Sequence, residues 1–190
     1  MRFDRERFVS DCEACLDEWN PQAALREVLE RELSDPRWVL AGLGEPTEAG
    51  FDVLLRSERL TIFAAKWAPR MTLPPHNHLM WALIGIYAGR EDNIFWKRSK
   101  NALVGRGLTA GGAKAMFEGD IAELPVDAIH SVTNPLSRFA GGLHLYGGDF
   151  FATERSQWNP ETLAEEPSNG DVVRAMFERE NERMRRERPA

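Results

Sequence analysis

The chain has 190 residues, 43% of them hydrophobic and 28% charged, a balance that fits a soluble globular protein long enough to enclose a real core. Its net charge of −6 gives no electrostatic reason to bind nucleic acid or an anionic membrane. No apolar run approaches the roughly 20 residues that span a bilayer, so neither nucleic acid nor membrane is an expected partner.

Met1-Arg2-Phe3-Asp4-Arg5-Glu6-Arg7 is too charged for a secretory signal, which makes the cytoplasm the expected compartment. Residues 1–40 read as helical. Phe8, Cys12, Cys15, Leu16 and Trp19 recur at three- and four-residue steps, the period of one helix face. Cys12 and Cys15 are the only two cysteines, and at that spacing they read as small core thiols on this helix. Asn20-Pro21 offers an N-cap followed by proline at the first helical position. The second face runs through Leu25, Val28, Leu29 and Leu33, and Ser34-Asp35-Pro36 is expected to stop it. Gly42-Leu43-Gly44-Glu45-Pro46 is turn material.

From about residue 51 the pattern becomes that of strands. Candidates are 51–56, 60–67, a histidine-bearing strand continuing to Ala88, 93–98, 115–118, 121–124, 129–133 and 139–146. Turn residues separate them at intervals of about ten residues, the layout of an all-β sandwich or barrel. Trp67, Trp81 and Trp96 are expected to fill or flank that barrel, with Trp81 facing outward because its parity is opposite to that of His76 and His78. Beyond Phe151 the chain is expected to return to helix. Asn169-Gly170-Asp171 leads into a helix from Val172 to Arg188 whose basic end reads as a solvated face. A single domain over 1–190 follows: a helical part at 1–45, a β-barrel at about 50–151 and a second helical part at 155–190.

All four histidines fall within the β region, at positions 76, 78, 130 and 144. His76 and His78 stand two apart, so on an extended strand they share a face, about 7 Å apart at Cα, close enough to chelate one ion. A third ligand has to come from another strand, and His130 is the natural candidate. Imidazoles suit iron, zinc, copper, nickel or manganese better than calcium or magnesium. Three protein ligands leave positions open for reactants, as catalytic sites do.

Pro75-His76-x-His78, followed by Gly119-Asp-x5-Pro125-x4-His130-x3-Asn134, resembles the two motifs of the cupins. The resemblance spans roughly Leu60 to Phe151 and implies an all-β core folded as a double-stranded β-helix, or jelly roll, with the metal inside. The usual first motif carries a glutamate a few residues after the second histidine. Met80-Trp81-Ala82-Leu83 stands there instead, and Glu91 is too far along to replace it simply.

A cupin with three histidines and no glutamate looks like the thiol dioxygenases, the cysteine dioxygenase group. Leu143-His144-Leu145-Tyr146 adds to the likeness, because that group carries a histidine and a tyrosine two apart beside the iron. The group's preceding serine is Gly142 in this chain, and no cysteine after Cys15 is available to cross-link to the tyrosine as in the animal enzymes. The resemblance implies Fe(II), or another divalent transition metal, on His76, His78 and His130. It also implies a small thiol and O2 as substrates, with Tyr146 and His144 as catalytic residues. A substrate carboxylate would need a cation, and Arg56 or Arg90 is the expected one. A cupin metalloenzyme of another class, an isomerase or a non-thiol dioxygenase, is the alternative, as is a small-ligand-binding cupin. A homo-oligomer is left open.

Overall fold

The computed structural model describes residues 3–99, 107–168 and 170–187. Three helices come first: α1 (Arg5–Cys15), α2 (Pro21–Glu32) and α3 (Pro36–Leu43). Asp4 caps α1, Asn20 caps α2 by accepting from the Ala23 N–H at 3.2 Å, and Asp35 caps α3. Ser34-Asp35-Pro36 therefore starts a third helix as well as ending the second, because Pro36 is a favourable first residue and Asp35 a favourable cap. α3 runs through Leu43, so Gly42 is helical and not a turn. Trp19 does not share the face of Phe8 and Cys12. α1 ends at Cys15, and Trp19 is fully exposed. Cys12 and Cys15 are buried, and desolvation pushes both thiols up, away from the reactive thiolate.

Strands β1 (Gly50–Arg56), β2 (Thr61–Trp67), β3 (Thr72–Asn77), β4 (Ala82–Ala88), β5 (Arg90–Arg98) and β6 (Leu108–Phe117) follow. Next come β7 (Ile121–Leu124), β8 (Ile129–Thr133), β9 (Ala140–Tyr146), β10 (Arg155–Trp158), β11 (Glu165–Ser168) and the helix α4 (Gly170–Glu187). The strands form a five-stranded sheet in the order β1-β2-β9-β4-β7 and a six-stranded sheet in the order β11-β10-β3-β8-β5-β6. Neighbours in both sheets are antiparallel. The fold is a double-stranded β-helix.

The central strands of the smaller sheet are buried on both faces, and for this reason they read as unbroken apolar runs instead of alternating ones. Alternate residues go to different cores. Phe63, Ala65, Ile84, Ile86 and Tyr146 fill the space between the sheets. Ile62, Ala64, Leu83, Tyr87, Leu143 and Leu145 pack under α1–α3 against Phe8, Leu25 and Leu29. Gly141 is required by this packing, since a Cβ there would come within 2.4 Å of the Tyr87 ring. Trp81 faces the helical layer, as its parity requires.

The region after residue 154 is not simply helical. β10 and β11 form an antiparallel hairpin that extends the larger sheet beyond β3, with Gln157 opposite His76. Both strands have only four residues, and Pro167 sits on the edge strand where its missing N–H costs no ladder bond. So short and polar a hairpin has no apolar alternation to announce it.

The helix α4 is also more than a solvated face. Phe177 packs on Phe51 and Trp67, with ring centroids at 4.7 and 5.6 Å, and closes one mouth of the barrel. Farther along, Asn181 accepts from the Ala49 N–H at 2.7 Å and donates to the Ala49 carbonyl at 2.9 Å. Arg183 donates to the Pro69 carbonyl at 2.6 Å, which ties the basic half down too. Asn169 and Arg188, the flanks of the expected helix, lie outside the described residues. No described helix is long and apolar enough to cross a membrane.

Candidate metal centre

Two prolines set the geometry. Pro74-Pro75 interrupt the pairing of β3 with β8, the register slips between Leu73 and His76, and His76 comes to lie directly opposite His130. His78 follows the last residue of β3, just before Leu79 turns the chain with φ 56°. The ring centroids of His76, His78 and His130 are 5.1, 4.6 and 4.9 Å apart. One nitrogen from each lies within 4.8 Å of the others. The three histidines expected to converge do so.

Their proton positions follow from their neighbours. Glu91 is fully buried on β5, and an ionised carboxylate only accepts. Asn93 therefore turns its Nδ2 toward Glu91 Oε1, at 3.0 Å, and its Oδ1 toward His130 Nδ1, at 2.6 Å. That oxygen can only accept, so His130 is protonated on Nδ1 and its Nε2 turns a lone pair toward the other two rings, in hydrogen-bond contact with His78 Nε2 at 3.2 Å. His76 donates from Nδ1 to the Pro74 carbonyl at 2.9 Å, which leaves its Nε2 free as well. Hydrogen bonds of this kind orient histidines toward metals. The donor set fits one divalent transition ion, held from one side by three neutral nitrogens.

Burial keeps the imidazoles neutral, the form that binds metal. Desolvation, with repulsion among the histidines, holds His78 and His130 well below the ordinary value. Desolvation brings His76 down to about 4 despite the Pro74 carbonyl, although His76 is only half-buried and contributes less. The unfolded chain takes up protons on these histidines near pH 6.5, whereas the folded chain resists them until much lower. Stability from this source is complete above about pH 6.5 and is lost as the pH falls toward about 4. Thermal melting of metal-free protein across that window should show a steadily falling Tm. A flat profile would mean that the rings are not desolvated as described.

His144 and Tyr146 lie on β9 beside the triad. Tyr146 packs edge-on to His78, with ring centroids at 4.9 Å, and its hydroxyl is 3.1 Å from His144 Nδ1. Burial pushes the phenol far up, so Tyr146 stays protonated at physiological pH. Burial alone would raise the carboxyl of Glu91, but the His144 ring 3.5 Å away and hydrogen bonds from Asn93 and Trp67 hold it below its ordinary value.

Arg56 and Arg90 do not reach this cavity. Arg56 is half-exposed and bonded to Asp149 at 3.0 Å, with its guanidinium over Phe151. Arg90 is paired with Asp92 at 2.6 Å and lies over Phe117. Both guanidiniums already have carboxylate partners. The cation that lines the cavity is Arg155, on the hairpin read from sequence as helix. It is 7% exposed, donates to the Phe150 carbonyl and lies 3.7 Å over the Phe150 ring. Desolvation lowers its pKa, and among the described residues no carboxylate offsets that burial. An unpaired buried charge is costly.

The cavity is small, about 30 Å³ open to the centre of a water molecule. Its walls are mostly apolar, from Phe51, Trp67, Leu73, Val132 and Phe150, and Met176 of α4 covers it. Arg155 was missed in the sequence, and Glu91 was weighed there only as a replacement ligand and set aside. For Glu91 the signal was the alternation of Glu91 and Asn93 along β5, which puts both on the inner face.

No family model matches the chain. Among solved structures it is similar to a conserved protein with a double-stranded β-helix domain from Klebsiella pneumoniae, at 13% identity and TM-score 0.42, over 56% of this chain and 77% of that one. An RmlC-like cupin from Methanocaldococcus jannaschii matches at 13% identity and TM-score 0.41, over 56% and 88%. An oxalate oxidase matches at 15% identity and TM-score 0.40, over 56% of this chain and 58% of that one. At these values the fold assignment stands on the sheet order and register, not on the likenesses.

Proposed function

We propose that the chain is a non-haem iron(II) dioxygenase that oxidises a small mercapto acid to its sulfinate. What carries the reading is that three neutral imidazoles and an unpaired buried guanidinium line one small cavity. In the overall reaction one thiol and one O2 give one sulfinic acid. Both oxygen atoms end on sulfur, which is oxidised as O2 is reduced, so no further reductant is needed. Iron on His76, His78 and His130 would supply the redox chemistry toward O2 and the Lewis acidity that ionises the thiol.

The protein's own contributions are binding, orientation and exclusion of water. Arg155 would hold the substrate carboxylate through charge-assisted hydrogen bonds. Tyr146 presents a neutral hydroxyl whose place is set by His144, within reach of a proton transfer. The apolar walls keep bulk water out, and the size of the cavity restricts the substrate to a few heavy atoms. Either a mercapto acid or cysteine supplies the thiol and the carboxylate together, whereas cysteamine lacks the carboxylate.

The test is oxygen uptake by iron-loaded protein with 3-mercaptopropionate, cysteine and cysteamine, against metal-free protein. Thiol-dependent uptake should appear with the two acids and be at least about tenfold lower in kcat/KM with cysteamine, the loss of one charge-assisted contact. Equal rates with all three would remove Arg155 from the substrate site. No uptake with any would remove the dioxygenase reading.

A further inference from the structure

Glu91 is ringed by donors. Trp67 Nε1 reaches Oε2 at 2.9 Å and Asn93 Nδ2 reaches Oε1 at 3.0 Å. The remaining polar neighbour is His144, whose Nε2 lies 3.5 Å from Oε2 and has no other partner among the described residues. Gly142 stands on the same side of that ring, where a Cβ would come 3.1 Å from His144 Nε2. Glycine there leaves the nitrogen to Glu91. With its proton on Nδ1 instead, His144 would turn a bare lone pair toward an ionised carboxylate in an apolar site, an arrangement with nothing to offset it.

We propose that Glu91 is the positioning residue of this centre. Its carboxylate keeps the proton of His144 on Nε2, so that Nδ1 accepts from the Tyr146 hydroxyl. Through Asn93 it keeps the proton of His130 on Nδ1, so that Nε2 faces His76 and His78. One carboxylate thus sets imidazoles on two sheets: His130 on β8, in the six-stranded sheet, and His144 on β9, in the five-stranded sheet. The role deepens the metal-centre reading and rests on it, but the proton positions can be measured without metal or turnover.

Nitrogen-15 histidine NMR of the metal-free wild-type protein at mildly alkaline pH is the first measurement. His144 should be the Nε2–H tautomer and His130 the Nδ1–H tautomer. A His144 that is Nδ1–H or doubly protonated, or a His130 that is Nε2–H, overturns the proposal. In Glu91→Gln the amide oxygen should stay toward Trp67 and His144, because the indole N–H can only donate, and its NH2 then faces Asn93. The Asn93 amide turns over, His130 should switch to Nε2–H, and zinc affinity in a chelator competition should fall about 10- to 100-fold. Asn93→Ala should lower zinc affinity similarly and leave the His144 signal unmoved. A folded Glu91→Gln variant with wild-type tautomers and affinity overturns the proposal. Should that variant not fold, the wild-type tautomers decide. A wild-type protein with the expected tautomers but no metal affinity would instead sink the metal-centre reading.

Discussion

Arg155→Met is expected to raise KM for a mercapto acid by about two to three orders of magnitude, the cost of leaving a charged group without its buried partner. Folding stability should change little. The variant loses the bond to the Phe150 carbonyl and the contact with the Phe150 ring, but it also removes an unpaired guanidinium from a site where desolvation penalises it. These terms oppose each other and are of similar size, so the melting temperature and the KM should separate. For cysteamine, which carries no carboxylate, the same substitution should leave KM nearly unchanged. Steady-state oxygen uptake with both thiols, beside a thermal melt, reads all three quantities. A variant that melts as wild type and keeps the wild-type KM for the acid would mean that the anion site is not where the substrate binds.

His130→Ala should abolish tight metal binding and with it thiol-dependent oxygen uptake. Changing residues that only orient a metal-bound histidine costs about 10- to 100-fold in affinity, so removing a ligand should exceed that range. His130 is also the ligand tied to Asn93 and stacked against Phe95, with ring centroids 6.4 Å apart. Its loss leaves the Asn93 oxygen without a donor and opens a void, so the metal-free variant should also be destabilised, by about 1–3 kcal/mol. Metal content after purification and a competition titration test the first part, and denaturant unfolding tests the second. Retention of one equivalent of tightly held metal by the variant would show that the ion sits elsewhere.

Much of the site was legible because its determinants are local. His76 and His78 share a face through the two-residue period of a strand, and His144 and Tyr146 do so for the same reason. The strands themselves were readable where both faces are buried, since unbroken runs such as β4 and β9 have no other soluble setting in so charged a chain. The pairing of His76 with His130 could be expected from the histidine inventory, but its register depends on the slip at Pro74-Pro75, which only the assembled sheet displays. Arg56 and Arg90 were reasonable candidates by position. Whether an arginine faces a cavity or a nearby aspartate is decided by side chains distant in sequence, and Asp149 claims Arg56 from 93 residues away.

By itself, then, the sequence determined the apolar runs of the buried strands, the cap of α2, the shared faces of the paired histidines and the absence of an acidic ligand after His78. Those properties depend on backbone period and residue type within a few positions. Only the tertiary structure decided which cation enters the cavity, that Glu91 lies behind two of the imidazoles, and that α4 closes the barrel. Each of these is a contact between segments far apart along the chain, selected by burial.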